Sequence, residues 1–241
     1  MIIMPPEISI IIPARNEEGN IESTIVNCYK KVSPEKEIIV IDDHSSDKTY
    51  EIVNSLKKKF KYVRIFKNEN NAGFGNALRF GFQKANGKYI VPVMADLCDD
   101  PGTINKMYEK AEEGFDIVCG CRYMKGSDMI NSPIIKKFIS KNYGKLINMV
   151  LGIPTKDITN AFKLYRKTIF ENIEIEKNDF SISVEIPLKA YFKKYRITDV
   201  PTIWYGRKKG KSKFKIFKMG KSYFNMFIFG LKKSMNFVKG G

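Results

Sequence analysis

Four groups of polar residues stand directly behind apolar runs. The run ending at Ile12 is followed by Pro13, Arg15, Glu17 and Glu18, and the run over residues 37–42 ends in Asp42 and Asp43. A third run ends just before Asp96, Asp99 and Asp100, and a fourth before Arg122. If these runs are neighbouring parallel strands, their carboxyl ends share one crevice. Oxygen donors there suit a hard divalent cation, and a guanidinium suits phosphate. Helix capping explains Asp47, and Asp99 or Asp100 could cap a helix after Pro101. Capping does not explain two aspartates together at the end of a buried strand.

The elements that must carry these residues follow from hydrophobic period. Continuous apolar segments at 8–12, 37–42, 63–67, 89–94 and 116–120 predict buried strands. Between them, residues 19–31, 47–60, 76–85 and 103–113 predict helices. Strands alternating with helices imply an α/β fold with a mostly parallel sheet covered on both faces. After Arg122 the pattern changes. Residues 123–133 read as a polar loop, 134–151 as a helix, 160–165 as a short strand and 182–194 as a helix. Residues 196–205 read as extended and broken by Pro201, and 206–213 as a flexible basic loop.

Composition narrows the function. The 241 residues are 43% hydrophobic and 28% charged, which excludes a disordered or collagen-like chain. A single histidine, His44, argues against a Ser-His-Asp hydrolase or a histidine-rich metal site. Cys28, Cys98, Cys119 and Cys121 lack zinc-knuckle spacing, so free thiols in a reducing compartment are expected. The net charge is +16, and residues 200–241 carry 11 Lys+Arg and no acid. That tail suits an anionic partner: a membrane surface, nucleic acid or a phosphorylated substrate. Phe214, Phe217, Phe224, Phe227 and Leu231 recur at helical spacing, with Lys215, Lys218, Lys221, Lys232 and Lys233 among or beside them. Such a segment predicts an interfacial amphipathic helix. The uncharged stretch 222–231 is 10 residues long, against the roughly 20 apolar residues a spanning helix needs. Residues 1–12 do not read as a secretory leader.

Eight segments in order carry a family resemblance: IIIPARNEE (10–18), IVIDDHSSDKT (39–49), NAGFGNALRFGFQKANGKYI (71–90), VMADLCDDP (93–101), CRYMKG (121–126), KKFISKNYGKLINMVLG (136–152), DITNAFKLYRK (157–167) and RKKGKSKF (207–214). Together the chain resembles the GT-A glycosyltransferases of the dolichyl-phosphate mannosyltransferase and polyprenyl-phosphate glycosyltransferase type. The resemblance implies a GT-A, Rossmann-like domain over residues 1–213 and a basic aromatic membrane-interface segment over 214–241. It implies an inverting enzyme that moves a sugar from a GDP- or UDP-sugar to a polyprenyl or dolichyl phosphate, working peripherally on the cytoplasmic face of a membrane.

By the same resemblance Pro13, Arg15, Glu17, Asp42, Asp43 and Gly75 are expected at the nucleotide. Asp96 is expected at a Mg2+ or Mn2+ ion, and Arg122, Arg207, Lys137 and Ser140 at phosphates, the last two at the acceptor. Asp157 and Glu185 lie in matching motifs with open roles. The family's acidic motif has two aspartates flanking one residue. Here Met94 takes the first position, leaving Asp96 with the donor pyrophosphate, and Asp99 as a candidate helper. Cys98 is too soft a ligand for magnesium.

The chemistry agrees: a leaving nucleoside diphosphate gathers negative charge that a cation and arginine offset. A phosphate acceptor, ionised with a second pKa of about 6, needs no strong base. A related enzyme using a saccharide hydroxyl would need one, with Asp157, Glu185 or Asp99 as candidates. A nucleic-acid-binding protein is the rival from another class, but acids in the crevice would repel a phosphate backbone, so no nucleic-acid partner is expected. Gly73-Phe74-Gly75 lacks the third glycine of a dinucleotide fingerprint, although a helix start there could still take phosphate.

Overall fold

Every residue of β1 (Ile8–Ala14) is buried, which is why the strand shows no polar alternation. On one side it pairs in parallel with β2 (Lys36–Asp42), and on the other with β4 (Tyr89–Pro92). The structure, a computed structural model, describes residues 5–207 and 216–239. β3 (Val63–Lys67) adds to β2 in parallel. β7 (Lys163–Arg166) enters antiparallel between β4 and β5 (Ile117–Cys121), and β8 (Ile197–Pro201) closes the far edge parallel to β5. The seven-stranded order is β3-β2-β1-β4-β7-β5-β8. This is the mostly parallel α/β sheet that the alternating periods imply.

Helices α1 (Ile21–Lys31), α2 (Thr49–Leu56), α3 (Phe74–Lys84) and α4 (Thr103–Glu112) connect the first five strands. The core forms two apolar clusters: one gathers Ile10, Ile12, Val40 and Ile104, the other Ile11, Ile39, Ile41 and Leu78. Alternate residues of β1 and β2 thus feed opposite clusters, as a strand's two-residue period requires. α2 stops at Leu56, short of residue 60. At its start Asp47 accepts hydrogen bonds from the Thr49 amide (3.0 Å) and hydroxyl, a turn just outside the helix.

The stretch expected to be a polar loop contains β6 (Asp128–Ile130), which pairs in parallel with β9 (Ile203–Tyr205) beyond Pro201. α5 (Ile134–Leu151) follows β6, and α6 (Ile169–Asn172) and α7 (Ile182–Phe192) follow β7. The boundary expected at residue 213, the basic loop from 208 and Phe214 lie outside the described residues. α8 (Ile216–Lys239) packs on α5 and α7. The Tyr143 hydroxyl of α5 donates to the Tyr223 carbonyl at 2.8 Å, and the Ser222 hydroxyl of α8 donates to Asp179 at 2.8 Å. No helix among the described residues is long and apolar enough to cross a membrane.

Candidate active site

The carboxyl edge of the sheet opens into a cavity of about 1070 Å³. β1 feeds it with Pro13, Arg15 and Glu17, β2 with Asp43, and β4 with Met94, Asp96, Cys98 and Asp99. β5 contributes Arg122, α5 contributes Lys136 and Ser140, and Arg207 enters from beyond β9. The crevice inferred from four strand ends is therefore present.

The loops that hold these groups brace one another. Asn16 (φ 55°), His44 (φ 60°) and Leu97 (φ 62°) are left-handed residues in the loops after β1, β2 and β4. Such non-glycine conformations persist only where surrounding contacts over-determine them. Asn16 Oδ1 accepts from the Ser46 amide (2.8 Å), and the Glu17 amide donates to Thr49 Oγ1 (2.8 Å). His44 Nε2 meets the Asn70 carbonyl at 2.9 Å, tying the second loop to the third.

Arg207 is the centre of charge. Its Nη2 lies 2.5 Å from Glu17 Oε1 and its Nε lies 3.2 Å from Asp96 Oδ2. Burial works against its charge, yet Glu17 and Asp96 hold its pKa above the ordinary guanidinium value. A guanidinium thus rests on the carboxylate expected to bind metal, a cation in a cation's place. Among the described residues no three His, Cys, Asp or Glu side chains form a complete metal cage. The set fits a cation of the magnesium type, which keeps one or two carboxylates and takes its other ligands from phosphate and water.

Asp99 is 7% exposed and its Oδ2 accepts from the Met94 amide at 2.9 Å. Burial first, then the charge of Asp96, pushes its pKa up to about 7, against the opposing pull of the Met94 amide and Arg122. Beside it burial holds the Cys98 thiol protonated, far above the thiol range, so Cys98 supplies no thiolate.

Arg122 is fixed by Asp157, which is fully buried. Nε donates at 2.7 Å, Nη2 at 2.8 Å, and the Arg122 amide at 3.0 Å. Burial alone would raise the Asp157 pKa, but the Arg122 charge and hydrogen bonds hold it below the usual carboxylate range. Lys163 is fully buried one strand away, and its Nζ donates to the carbonyls of Ile158 (2.9 Å), Asn160 and Ser183 (3.2 Å). It thereby pins the loop that carries Asp157. Sequence reading passed over Lys163; the signal was a lone lysine inside the apolar strand AFKLY.

Some expected residues stand outside the cavity. Asp42 is 5% exposed and does not line it, and among the described residues its Oδ1 has no hydrogen-bond partner. Gly75 packs on the loop before α7: a Cβ there would sit 2.5 Å from the Lys177 carbonyl oxygen, and its amide donates to Asn178 at 2.9 Å. Lys137 is exposed and does not line the cavity; its neighbour Lys136, one helical turn from Ser140, does. The carbonyls of Lys136 and Lys137 accept from the Ser140 hydroxyl, at 2.8 and 3.3 Å. Glu185 is fully buried and clamps the Glu176 and Lys177 amides at 2.9 Å while pairing with Lys189 at 2.8 Å. Glu185 and Asp157 are committed to such bonds and neither lines the cavity, so of the three candidate bases only Asp99 faces it.

The other half of the cavity is apolar. Ile139, Tyr143 and Leu146 of α5 face Tyr223, Phe224 and Phe227 of α8. Phe74 and Phe180 stack at 4.3 Å and line the cavity too. α8 is thus partly folded onto the domain, with Phe227 and Leu231 packed against the core and Phe224 59% exposed.

The model of glycosyl transferase family 2 matches residues 9–174. Dolichol-phosphate mannosyltransferase of Pyrococcus furiosus is 34% identical over 216 residues, 87% of this chain and 59% of that protein. Polyprenol monophosphomannose synthase of Mycolicibacterium smegmatis is 24% identical over 238 residues, 96% of this chain and 89% of that protein. The chain spans about three fifths of the length of the first relative and about nine tenths of the second. Glucosyl-3-phosphoglycerate synthase of Mycobacterium tuberculosis, solved with Mn2+ and uridine diphosphate, superposes with a TM-score of 0.70 at 17% identity, over 95% of this chain and 80% of that one. TarS of S. aureus with UDP-GlcNAc gives 0.67 at 18%, over 94% and 66%. Both share the GT-A-like fold. With a family match that runs from β1 through β7 and a sheet of this order, the chain belongs to glycosyl transferase family 2.

Proposed function

We propose that the chain is an inverting glycosyltransferase that moves a sugar from a GDP- or UDP-sugar to a polyprenyl or dolichyl phosphate. The observation that carries this is the two-sided cavity. One side is charged and built at the strand ends; the other is an apolar slot between α5 and α8. A ligand that is phosphate at one end and hydrocarbon at the other matches both. The names of the two curated relatives point to the same acceptor class.

Pro13, Arg15, Glu17 and Asp43 would hold the nucleoside. Asp42, which does not line the cavity, would support Asp43 from one residue behind it. Arg122, Lys136 and Arg207, with Ser140, would receive the acceptor phosphate and offset its repulsion from the donor diphosphate. The acceptor arrives ionised, so transfer needs no proton abstraction. Asp96 would hold Mg2+ or Mn2+, which when bound supplies Lewis-acid stabilisation of the leaving diphosphate. Arg207 would have to leave Asp96 as the cation enters.

We also propose peripheral binding at the cytoplasmic membrane face. On α5, Ile134, Ile135, Phe138 and Met149 are 83, 68, 69 and 69% exposed, beside the exposed Lys137, Lys141 and Lys145. Exposed apolar surface rimmed by lysine is the make-up of an interfacial helix. Purified protein given a panel of nucleotide sugars and a short polyprenyl phosphate should release a nucleoside diphosphate and form lipid-extractable sugar with one donor. No lipid-extractable sugar with any donor would refute the proposal.

A further inference from the structure

We infer that Asp99 supplies the second carboxylate toward the divalent cation, taking over the place that Met94 leaves without one. The inference rests on the cation site proposed at Asp96. Asp99 lines the same cavity although it is 93% buried by its 7% exposure, and only its Oδ2 has a hydrogen-bond donor among the described residues. That donor is the amide of Met94 itself, at 2.9 Å. The carboxylate of residue 99 is therefore fastened against the backbone of residue 94, in a residue that lines the cavity.

The loop is built to hold it there. Leu97 adopts φ 62° between Asp96 and Cys98. The Cys98 amide donates to Asp96 Oδ1 at 3.2 Å, and the Cys98 carbonyl accepts from the Tyr205 amide at 2.8 Å. Asp99 also bridges to Trp204 of β9. Both aspartates are thus set by backbone contacts, as ligand groups must be. Arg207 shows that positive charge is accepted at this spot, since its guanidinium occupies Asp96. Helix capping does not account for Asp99: the amide of Thr103, which opens α4, bonds to the Asp100 carbonyl at 3.0 Å, and the Gly102 amide reaches the Asp100 carboxylate. A buried carboxylate facing a cavity with no cap to make is a group awaiting a cation.

The test is Mn2+ binding, read by electron paramagnetic resonance of the free ion, in the presence of GDP and separately of UDP. Nucleotide without protein serves as the blank. Wild type should retain Mn2+ beyond the blank with one nucleotide. Asp99→Asn and Asp96→Asn should each weaken retention by about 10-fold or more. Asparagine at 99 keeps the acceptor for the Met94 amide, and an unlowered melting temperature will show the loop intact. Met94→Asp in the Asp99→Asn background should recover most of the loss. Wild-type retention by Asp99→Asn, with loss in Asp96→Asn, would overturn this inference and leave the proposed cation site standing. A loss that Met94→Asp does not recover would also overturn it, making Asp99 a loop-shaping residue. No retention by wild type with either nucleotide would overturn both.

Discussion

Replacing Asp157 by asparagine removes one charge and almost no volume, and it isolates a buried ion pair at the edge of the site. Asp157 is fully buried and Arg122 is 12% exposed at the side chain. Three N–H groups of Arg122 converge on the carboxylate, two from the guanidinium and one from the backbone. Asparagine keeps one acceptor oxygen and leaves a buried guanidinium without its counter-charge. Breaking one partner of a buried pair costs about 3–5 kcal/mol, and the retained acceptor places Asp157→Asn near about 3. For a chain of this size that lowers the melting temperature by roughly 6–12 °C. Thermal unfolding followed by circular dichroism reads it directly. The pH dependence has a definite sign: the folded-state pKa of Asp157 lies below its ordinary value of 3.8. Its stabilisation is therefore full above that value and is lost as pH falls through the depressed folded pKa. The variant should lack this acid-limb loss. A melting temperature within a degree or two of wild type at neutral pH would refute the claim that this pair holds the exit of β5.

Asp99 should behave oppositely. Its folded pKa of about 7 exceeds 3.8, so its stabilising contribution is present below about 4 and lost as pH rises through 7. The full swing is on the order of 4 kcal/mol, and urea titrations at pH 5 and 8 should show a smaller fall in Asp99→Asn than in wild type. Arg207→Ala should cut turnover by about 10²-fold, as loss of a major electrostatic stabiliser does, while tightening Mn2+ binding because Asp96 is no longer shared; unchanged turnover would remove Arg207 from the mechanism. The 241-residue chain should float with anionic liposomes at low salt and release as salt rises, each well-placed lysine contributing about 1 kcal/mol. Protein that ignores such liposomes at low salt would refute the interfacial role of α5 and α8.

Much of the frame was legible because strands buried on both faces read as unbroken apolar runs. Residues 37–42 announce β2 and its aspartates without any knowledge of neighbours. What depended on long-range packing was not legible. β6 looks like loop because three residues, two of them exposed, gain strand character only by pairing with β9, some 75 residues later. The distinction between Lys136 and Lys137 is a matter of helix rotation, which the apolar pattern of α5 blurs because both its buried and its exposed faces carry large hydrophobic residues. Gly75 reads as a phosphate loop until the backbone of 177–178 fills its missing Cβ. Asp157 and Glu185 share one appearance in sequence, yet one orients an arginine beside the cavity and the other clamps a loop away from it. No local pattern separates those roles, since the partners lie at distances of 35 and 9 residues along the chain.

The central claim is that the cavity joins a sugar to a phosphate carried on a prenyl chain, and the acceptor itself tests it. Wild type and Lys136→Ala should be supplied with the productive nucleotide sugar and either a short polyprenyl phosphate or the matching polyprenol. Initial rates would be measured across acceptor concentration, and the lipid product weighed by mass spectrometry. The cavity predicts transfer to the phosphate alone, giving a glycosyl phosphate ester, with acceptor KM raised about 10-fold in Lys136→Ala. Equal rates with polyprenol, or an acceptor KM indifferent to Lys136, would contradict it.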